Sequence, residues 1–444
     1  MSAVADPSGR DSDKGNLLLS SLLFASPLVT CGVPRLTPFL FAIVGIALVG
    51  AALRRGTPWR QLLPPTPAFW ACLALVLYVF LNATWAADRG AAFGKATLLA
   101  GLVLVTFAAV SAVSTLDAAS LRRAALAFAA GAFVGAGFIL LELLTNGVVT
   151  RTVISTFPFL QPHFPKHVTI LHGEVTRINP SKLNQNVNLV MFHLWPGLLA
   201  LTGLKSDRRM IALVVFFMTA AVAITISEHD SSQVALIGSS VVLLLAWRWP
   251  RPVTRVLAAL WCLAFVLVIP ADFLAYRSGL HLAPWLPASA RARVILWEYT
   301  AERMLTHPWL GIGVGSTPVL KDEDQAKAPP EIPEGFVFHR TTGEHAHDLF
   351  LQTWYELGVV GALLLVLAGA TVAMLIPLLP LAAQAFAAAA FATFAIVGAF
   401  AWGMWQSWFM CAIALVPLYL RVATAAIEVR AALPRLRARD AGHE

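Results

Sequence analysis

Two histidines one residue apart, His345 and His347, with Asp348 directly behind them, stand at the start of an apolar run over 349–374. Imidazole accepts a proton near neutral pH, where an alcohol or sugar hydroxyl does not ionise unaided. Gln352 and Glu356 follow four residues apart, so on a helix they share one face and descend below the imidazoles. Upstream, Arg291 and Arg293 lie in the segment 287–305, which reads as a helix opened by Pro-Ala-Ser. Trp297 stands four residues after Arg293, on the same face. A guanidinium presents a planar, permanently charged fork that suits phosphate or pyrophosphate oxygens. A proton acceptor and a cationic clamp are the minimum set for moving a group from a diphosphate onto a hydroxyl. The plainer alternative is a pair of solvated loop histidines.

Between clamp and base, the run His307-Pro308-Trp309-Leu310-Gly311-Ile312-Gly313-Val314-Gly315 predicts a tight turn. Its alternating glycines would let backbone N–H groups approach phosphate oxygens, although the spacing fits neither a P-loop nor a dinucleotide fingerprint. The charged, proline-containing stretch 321–343 reads as a flexible lid or partner surface. Its Asp322-Glu323-Asp324 reads as a solvated acidic turn, because nothing nearby in the sequence completes a metal shell. A second polar segment, 146–185, holds His163, His167, His172, Arg177 and the run from Asn179 to Asn186. That amide- and hydroxyl-rich run suits sugar hydroxyls or phosphate oxygens, or else caps the helix that follows.

The elements that carry these residues follow from composition. With 58% apolar and 13% charged residues, and a mean hydropathy of +0.73, the chain reads as an all-α integral membrane protein, one polytopic domain over 1–444. Twelve apolar stretches are long enough to be spans: 17–33, 36–53, 68–85, 96–114, 124–145, 186–204, 210–227, 232–247, 256–275, 349–376, 382–402 and 405–420. The first has no small-residue cleavage site close behind it and reads as retained. Arg54, Arg55, Arg122, Arg123, Arg208, Arg209, Arg248, Arg251 and the basic tail 421–444 fall on one side. The short turns on the other side hold only Arg35, Arg89 and Lys95, which predicts both termini inside. The long segments 146–185 and 276–348 then lie outside, the second of them partly helical. The net charge of +8 is explained by contact with anionic membrane lipid, through a tail with Arg430, Arg435, Arg437 and Arg439, and implies no nucleic-acid partner. Cys31, Cys72, Cys262 and Cys411 are scattered through apolar stretches with no ligand spacing, and read as packing residues.

Taken together, Arg293 with Trp297, the turn from His307 to Gly315, His345-Ala346-His347-Asp348-Leu349-Phe350-Leu351-Gln352 and Glu356-Leu357-Gly358 with Gly361 resemble the O-antigen ligase and polymerase superfamily. Its members show an Arg four residues before a Trp, a Pro-x-x-Gly-x-Gly-x-Gly turn, and His-Asn-x-Phe-Leu-Gln with a Glu-x-Gly-x-x-Gly tail. Arg177 with Asn179-Pro180 is similar to an upstream Asn-Pro element of that family. The specific likeness covers about 291–361, and a looser one runs from 177 to 420.

The resemblance implies a GT-C-like membrane fold and transfer of a glycan from undecaprenyl diphosphate to lipid A–core, on the periplasmic face of the bacterial inner membrane. It implies inversion at the anomeric carbon, with no metal, nucleotide-sugar or other cofactor. By the same resemblance His347 is the general base, with His345 competing for the role, and Arg293, Arg291 and Arg177 hold the diphosphate. Trp297 would brace Arg293 or stack on a sugar, and Asp348, Gln352 and Glu356 would orient the imidazole or bind hydroxyls. O-antigen polymerase and protein O-oligosaccharyltransferase activities use the same donor and stay open, as does a transporter with His and Arg along its path. Two departures stand out. Asp348 replaces the family's Asn, a carboxylate expected to raise the histidine's pKa. The stretch from Ser227 to Gln233 lacks an arginine that relatives commonly carry there.

Overall fold

The computed structural model describes residues 7–157, 168–171, 174–204, 207–320 and 340–440. The expected lid, the Asp322-Glu323-Asp324 turn and His163, His167 and His172 lie outside these residues, apart from the lid's last residues from Arg340 onward.

Apolar sequence in a bilayer must satisfy its backbone internally, and here it does so with helices. Each of the twelve apolar stretches is occupied mainly by one helix, which most of them overrun at an end by one to three residues. Among the described residues, nine helices are long and apolar enough to cross a membrane, while Leu17–Gly32 and Arg209–Thr225 are shorter apolar helices. Polar residues set the boundaries between them. Thr66, Asp88 and Asp117 each accept backbone N–H bonds at the starts of Pro67–Asn82, Arg89–Val113 and Ala118–Leu144. The strands Val168–Leu171 and Glu174–Ile178 form one antiparallel hairpin, which packs on the short helix Val148–Thr156.

The helix Asn184–Thr202 is innermost, buried continuously from Asn186 to Ala200. It packs against Ala118–Leu144, Arg209–Thr225, Leu381–Phe400 and Ser407–Asp440. Polar side chains lock it in place. Trp195 Nε1 donates to Ser239 Oγ at 3.1 Å and Thr393 Oγ1 at 3.0 Å, and Asn186 Nδ2 donates to the Cys31 carbonyl at 2.6 Å. Asn179 Oδ1 accepts from the Ser181 backbone at 3.0 Å. At Asn179 and Asn186, then, the amide-rich run caps and latches helices, as the plainer of its two expectations had it. The last helix continues through the basic tail, and Arg430 docks on the end of the innermost helix by donating to the Leu204 carbonyl at 3.0 Å.

One helix, Leu349–Leu375, is broken. Gly358 has φ 66° and ψ −167°, a conformation open essentially to glycine alone. The glycine-rich turn enters the break, so close that a Cβ on Gly358 would lie 2.4 Å from the Trp309 carbonyl oxygen. Hydrogen bonds lost by the helix are exchanged with the turn. Val359 N donates to Pro308 O at 2.9 Å, Ile312 N to Tyr355 O at 3.1 Å and Gly313 N to Glu356 O at 3.0 Å. The neighbouring helix Pro67–Asn82 completes the set, Tyr78 Oη donating to Leu357 O at 2.7 Å and Asn82 Nδ2 to Leu310 O at 2.8 Å. A break in a membrane helix persists when protein groups satisfy its freed backbone, as they do here.

Candidate active site

The two histidines sit between the helix Ala288–Met304, the broken helix and the short non-helical link 401–406. Asp348 begins the broken helix. One carboxylate oxygen accepts from Phe350 N at 2.7 Å and Leu351 N at 3.0 Å, so the acid that replaces the expected amide acts as an N-cap. Burial raises its pKa to about 7 against those two hydrogen bonds.

His347 has a left-handed backbone, φ 54°, a strained state for a residue with a side chain. Its Nδ1 lies 2.7 Å from the Ala401 carbonyl oxygen. A carbonyl can only accept, so Nδ1 carries the proton and Nε2 of the neutral ring keeps its lone pair. The His347 pKa is lowered, first by burial and also by Arg293, against the Ala401 hydrogen bond. The rise expected from Asp348 is therefore not found: the caps engage that carboxylate, and desolvation of the ring prevails. His345 packs beside it, tilted by 43° with 4.1 Å between ring centroids, and is wedged against Gly403, where a Cβ would fall 2.7 Å from His345 Cγ. Burial, His347 and Arg293 together push the His345 pKa down to about 3.

Arg293 is half-buried and acts electrostatically on both imidazoles. Among the described residues it forms no hydrogen bond or ion pair, which leaves its fork available to an anion. Trp297 braces the histidine segment rather than Arg293, its Nε1 donating to the Ala346 carbonyl at 2.8 Å. One helical face thus supplies both the cation and the clamp on the histidine backbone. Arg340 ties the same helix to that segment from the other side, pairing with Glu298 at 2.8 Å and Glu302 at 2.6 Å.

Gln352 and Glu356 lie beneath and serve the framework. Glu356 is fully buried and accepts from Gly315 N at 2.6 Å, Thr317 Oγ1 at 2.5 Å, Gln352 Nε2 at 3.2 Å and Trp405 Nε1. Gln352 Oε1 accepts from Met404 N at 3.1 Å. With their polar atoms engaged in this way, the two hold the turn and the link rather than binding hydroxyls. The turn is likewise closed to phosphate: the N–H groups of residues 311 to 315 donate to His307 O, Tyr355 O, Glu356 O, Asn82 Oδ1 and Glu356 Oε2. Arg177 lies on the hairpin, in the lining of a cavity of about 250 Å³ shared with Glu142, Asn146 and Leu183, apart from the histidines. Arg291 is two residues from Arg293 on the same helix, so the two do not share a face.

Two parts of the site escaped the sequence reading. The link 401–406 touches both histidines, yet looked like the junction of two spans. His229, noted only within a stretch lacking arginine, packs on Trp402 with ring centroids 5.6 Å apart and feels the charge of Arg293. The available signal was a histidine with acids and serines at a helix mouth, and the density of tryptophan from Trp402 to Trp408.

No curated protein matches the chain. Residues 213–366 match the family model described as O-antigen ligase, a stretch that contains His229, Arg293, the glycine-rich turn, both site histidines and the helix break. Over residues 213–366 the chain therefore carries a domain of the O-antigen ligase family, membrane enzymes that transfer lipid-linked glycans.

Proposed function

We propose that the protein is an O-antigen ligase, transferring a glycan from undecaprenyl diphosphate to lipid A–core at the periplasmic face of the inner membrane. The observation that carries this reading is the His347 ring, anchored through Nδ1 on the Ala401 carbonyl, with Nε2 left as a proton acceptor beside a half-buried Arg293. In the step proposed, an acceptor sugar hydroxyl attacks the anomeric carbon while its proton passes to His347 Nε2. The bond from that carbon to the diphosphate oxygen breaks, and its electron pair leaves with undecaprenyl diphosphate. Arg293 stabilises the charge that develops there. Displacement in one step inverts the anomeric centre and sets base and leaving group on opposite sides of it. His345, whose pKa near 3 keeps it neutral, supports its neighbour by packing. The N-in, C-in arrangement with twelve spans and an external catalytic face belongs to the same proposal. Arg291 and Arg177 are proposed as further contacts to the donor diphosphate.

The test is transfer by purified protein supplied with undecaprenyl-diphosphate-linked glycan and lipid A–core. His347→Ala is expected to lower transfer by about 10²–10⁴-fold with donor binding retained. Arg293→Ala should weaken donor binding and slow transfer together, and Arg293→Lys should restore only part of both. Wild-type transfer by His347→Ala and His345→Ala alike would remove the acid–base reading. The break at Gly358 also favours a second reading, since transporters build sites from interrupted helices. Transport without donor consumption would select it, and glycan joined to another lipid-linked glycan would select polymerase.

A further inference from the structure

The link 401–403 touches three imidazoles, not two. Ala401 holds His347, Gly403 backs His345, and Trp402 packs on His229 at 5.6 Å with the rings 30° apart. His229 is 5% exposed, and its position is built. Its Nδ1 pairs with Ser232 Oγ at 2.6 Å, its backbone N donates to Ser227 Oγ at 3.2 Å, and the next residue but one, Ser231, donates to the Phe400 carbonyl at 3.2 Å. Around these rings two buried nitrogens, Trp402 Nε1 and His345 Nε2, have no hydrogen-bond partner among the described residues. A buried polar atom without a partner calls for an explanation, and beside three imidazoles and Arg293 a ligand's own polar atoms supply one.

The charges facing this space are cationic or titratable. Arg293 comes from the helix Ala288–Met304, His345 and His347 from the segment before the broken helix, and the link 401–406 adds no ionisable group. Flanking His229, Glu228 and Asp230 are exposed to solvent, and Asp230 acts on Arg293. Resting on the ligase reading above, we propose that His229 binds the donor diphosphate beside Arg293 and takes up a proton as it does so, with the Trp402 indole N–H donating to the same group. Nδ1 being fixed by Ser232, the proton donor toward the anion is Nε2. Burial, and then Arg293, hold the His229 pKa down to about 4, so the ring enters neutral. A diphosphate supplies the negative charge that reverses the Arg293 repulsion and favours imidazolium. The clamp would then form fully only around its ligand and relax when product leaves.

The probe is undecaprenyl diphosphate, titrated calorimetrically into the detergent-solubilised full chain at pH 7, in two buffers of different ionisation heat. Wild type is expected to bind with net proton uptake. His229→Gln should bind about 10- to 100-fold more weakly, as for loss of a hydrogen bond to a charged group, and without that uptake. His229→Arg should recover affinity without uptake, since its charge is permanent. Equal affinity in His229→Gln, or binding by wild type without uptake, overturns the proposal while leaving the ligase reading standing. So does uptake that persists in His229→Gln and disappears in His347→Gln, which assigns the proton to the base. Failure of wild type to bind the probe removes the diphosphate reading itself.

Discussion

A neutral imidazole held by a carbonyl at one nitrogen is a base by construction, and the His347 environment adds a direction to its pH response. Burial and Arg293 lower its pKa, so the ring stays an acceptor further into acid than a free imidazole with a pKa of about 6.5. The acid limb of the kcat/KM profile for the donor, which reports the donor-free protein, should therefore fall below that value. A limb above it would mean that the base is another group. Asp348 behaves oppositely. Its folded pKa, about 7, exceeds the ordinary 3.8 of an aspartate, so the folded state holds the proton more tightly than the unfolded chain. Stability from this group is complete below pH 3.8 and is lost as pH rises through about 7. Thermal unfolding of Asp348→Asn should lack that loss while keeping the cap, and Asp348→Ala should cost about 1 kcal/mol for the missing cap. A steeper loss with rising pH in Asp348→Asn would contradict the assignment.

At the level of elements, the broken helix and the glycine-rich turn form one unit joined by Glu356. The fully buried carboxylate has acceptor oxygens only and faces donors from the turn, from its own helix and from the link. Glu356→Gln turns one acceptor into a donor and leaves at least one buried N–H unmatched, for about 1–3 kcal/mol. Because Trp405 and Met404 belong to the link that carries Ala401, transfer should fall even though no reacting group has changed. The expected signature is a lower Tm, with a reduced kcat and a nearly unchanged donor KM. Gly358→Ala is harsher. It combines a backbone state that alanine avoids with a 2.4 Å approach to Trp309, and should cost at least about 2 kcal/mol. A Gly358→Ala protein as stable as wild type would show that the turn is not seated in the break.

For the whole molecule, the testable property is sidedness. Glu344 is exposed next to the site histidines, and Arg209 is exposed at the start of Arg209–Thr225. Single cysteines replacing them in a background without native cysteine should separate in intact cells, position 344 reacting with an impermeant reagent and position 209 protected until the membrane is opened. Labelling at 209 alone would invert the orientation and place the chemistry on the cytoplasmic side.

Membrane class and the helical segments were legible in the chain itself, because hydropathy and helix length are local and a bilayer leaves the backbone few alternatives. So was the pairing of Arg293 with His345 and His347, since residue type and motif spacing survive without coordinates. The roles of Gln352, Glu356 and the alternating glycines were not legible: a buried polar side chain looks the same in sequence whether its partner is substrate or protein. Only tertiary structure decided that these residues seal a helix break, that Trp297 holds the histidine backbone, and that Asp348 is a cap. Nor does local pattern bring His229 or the link 401–406 to the site, because contacts between segments more than fifty residues apart arise from packing of whole helices. The candidate site's chemical groups were written in residue types, and their geometry came from the long-range hydrogen bonds that let a broken helix stand inside a membrane.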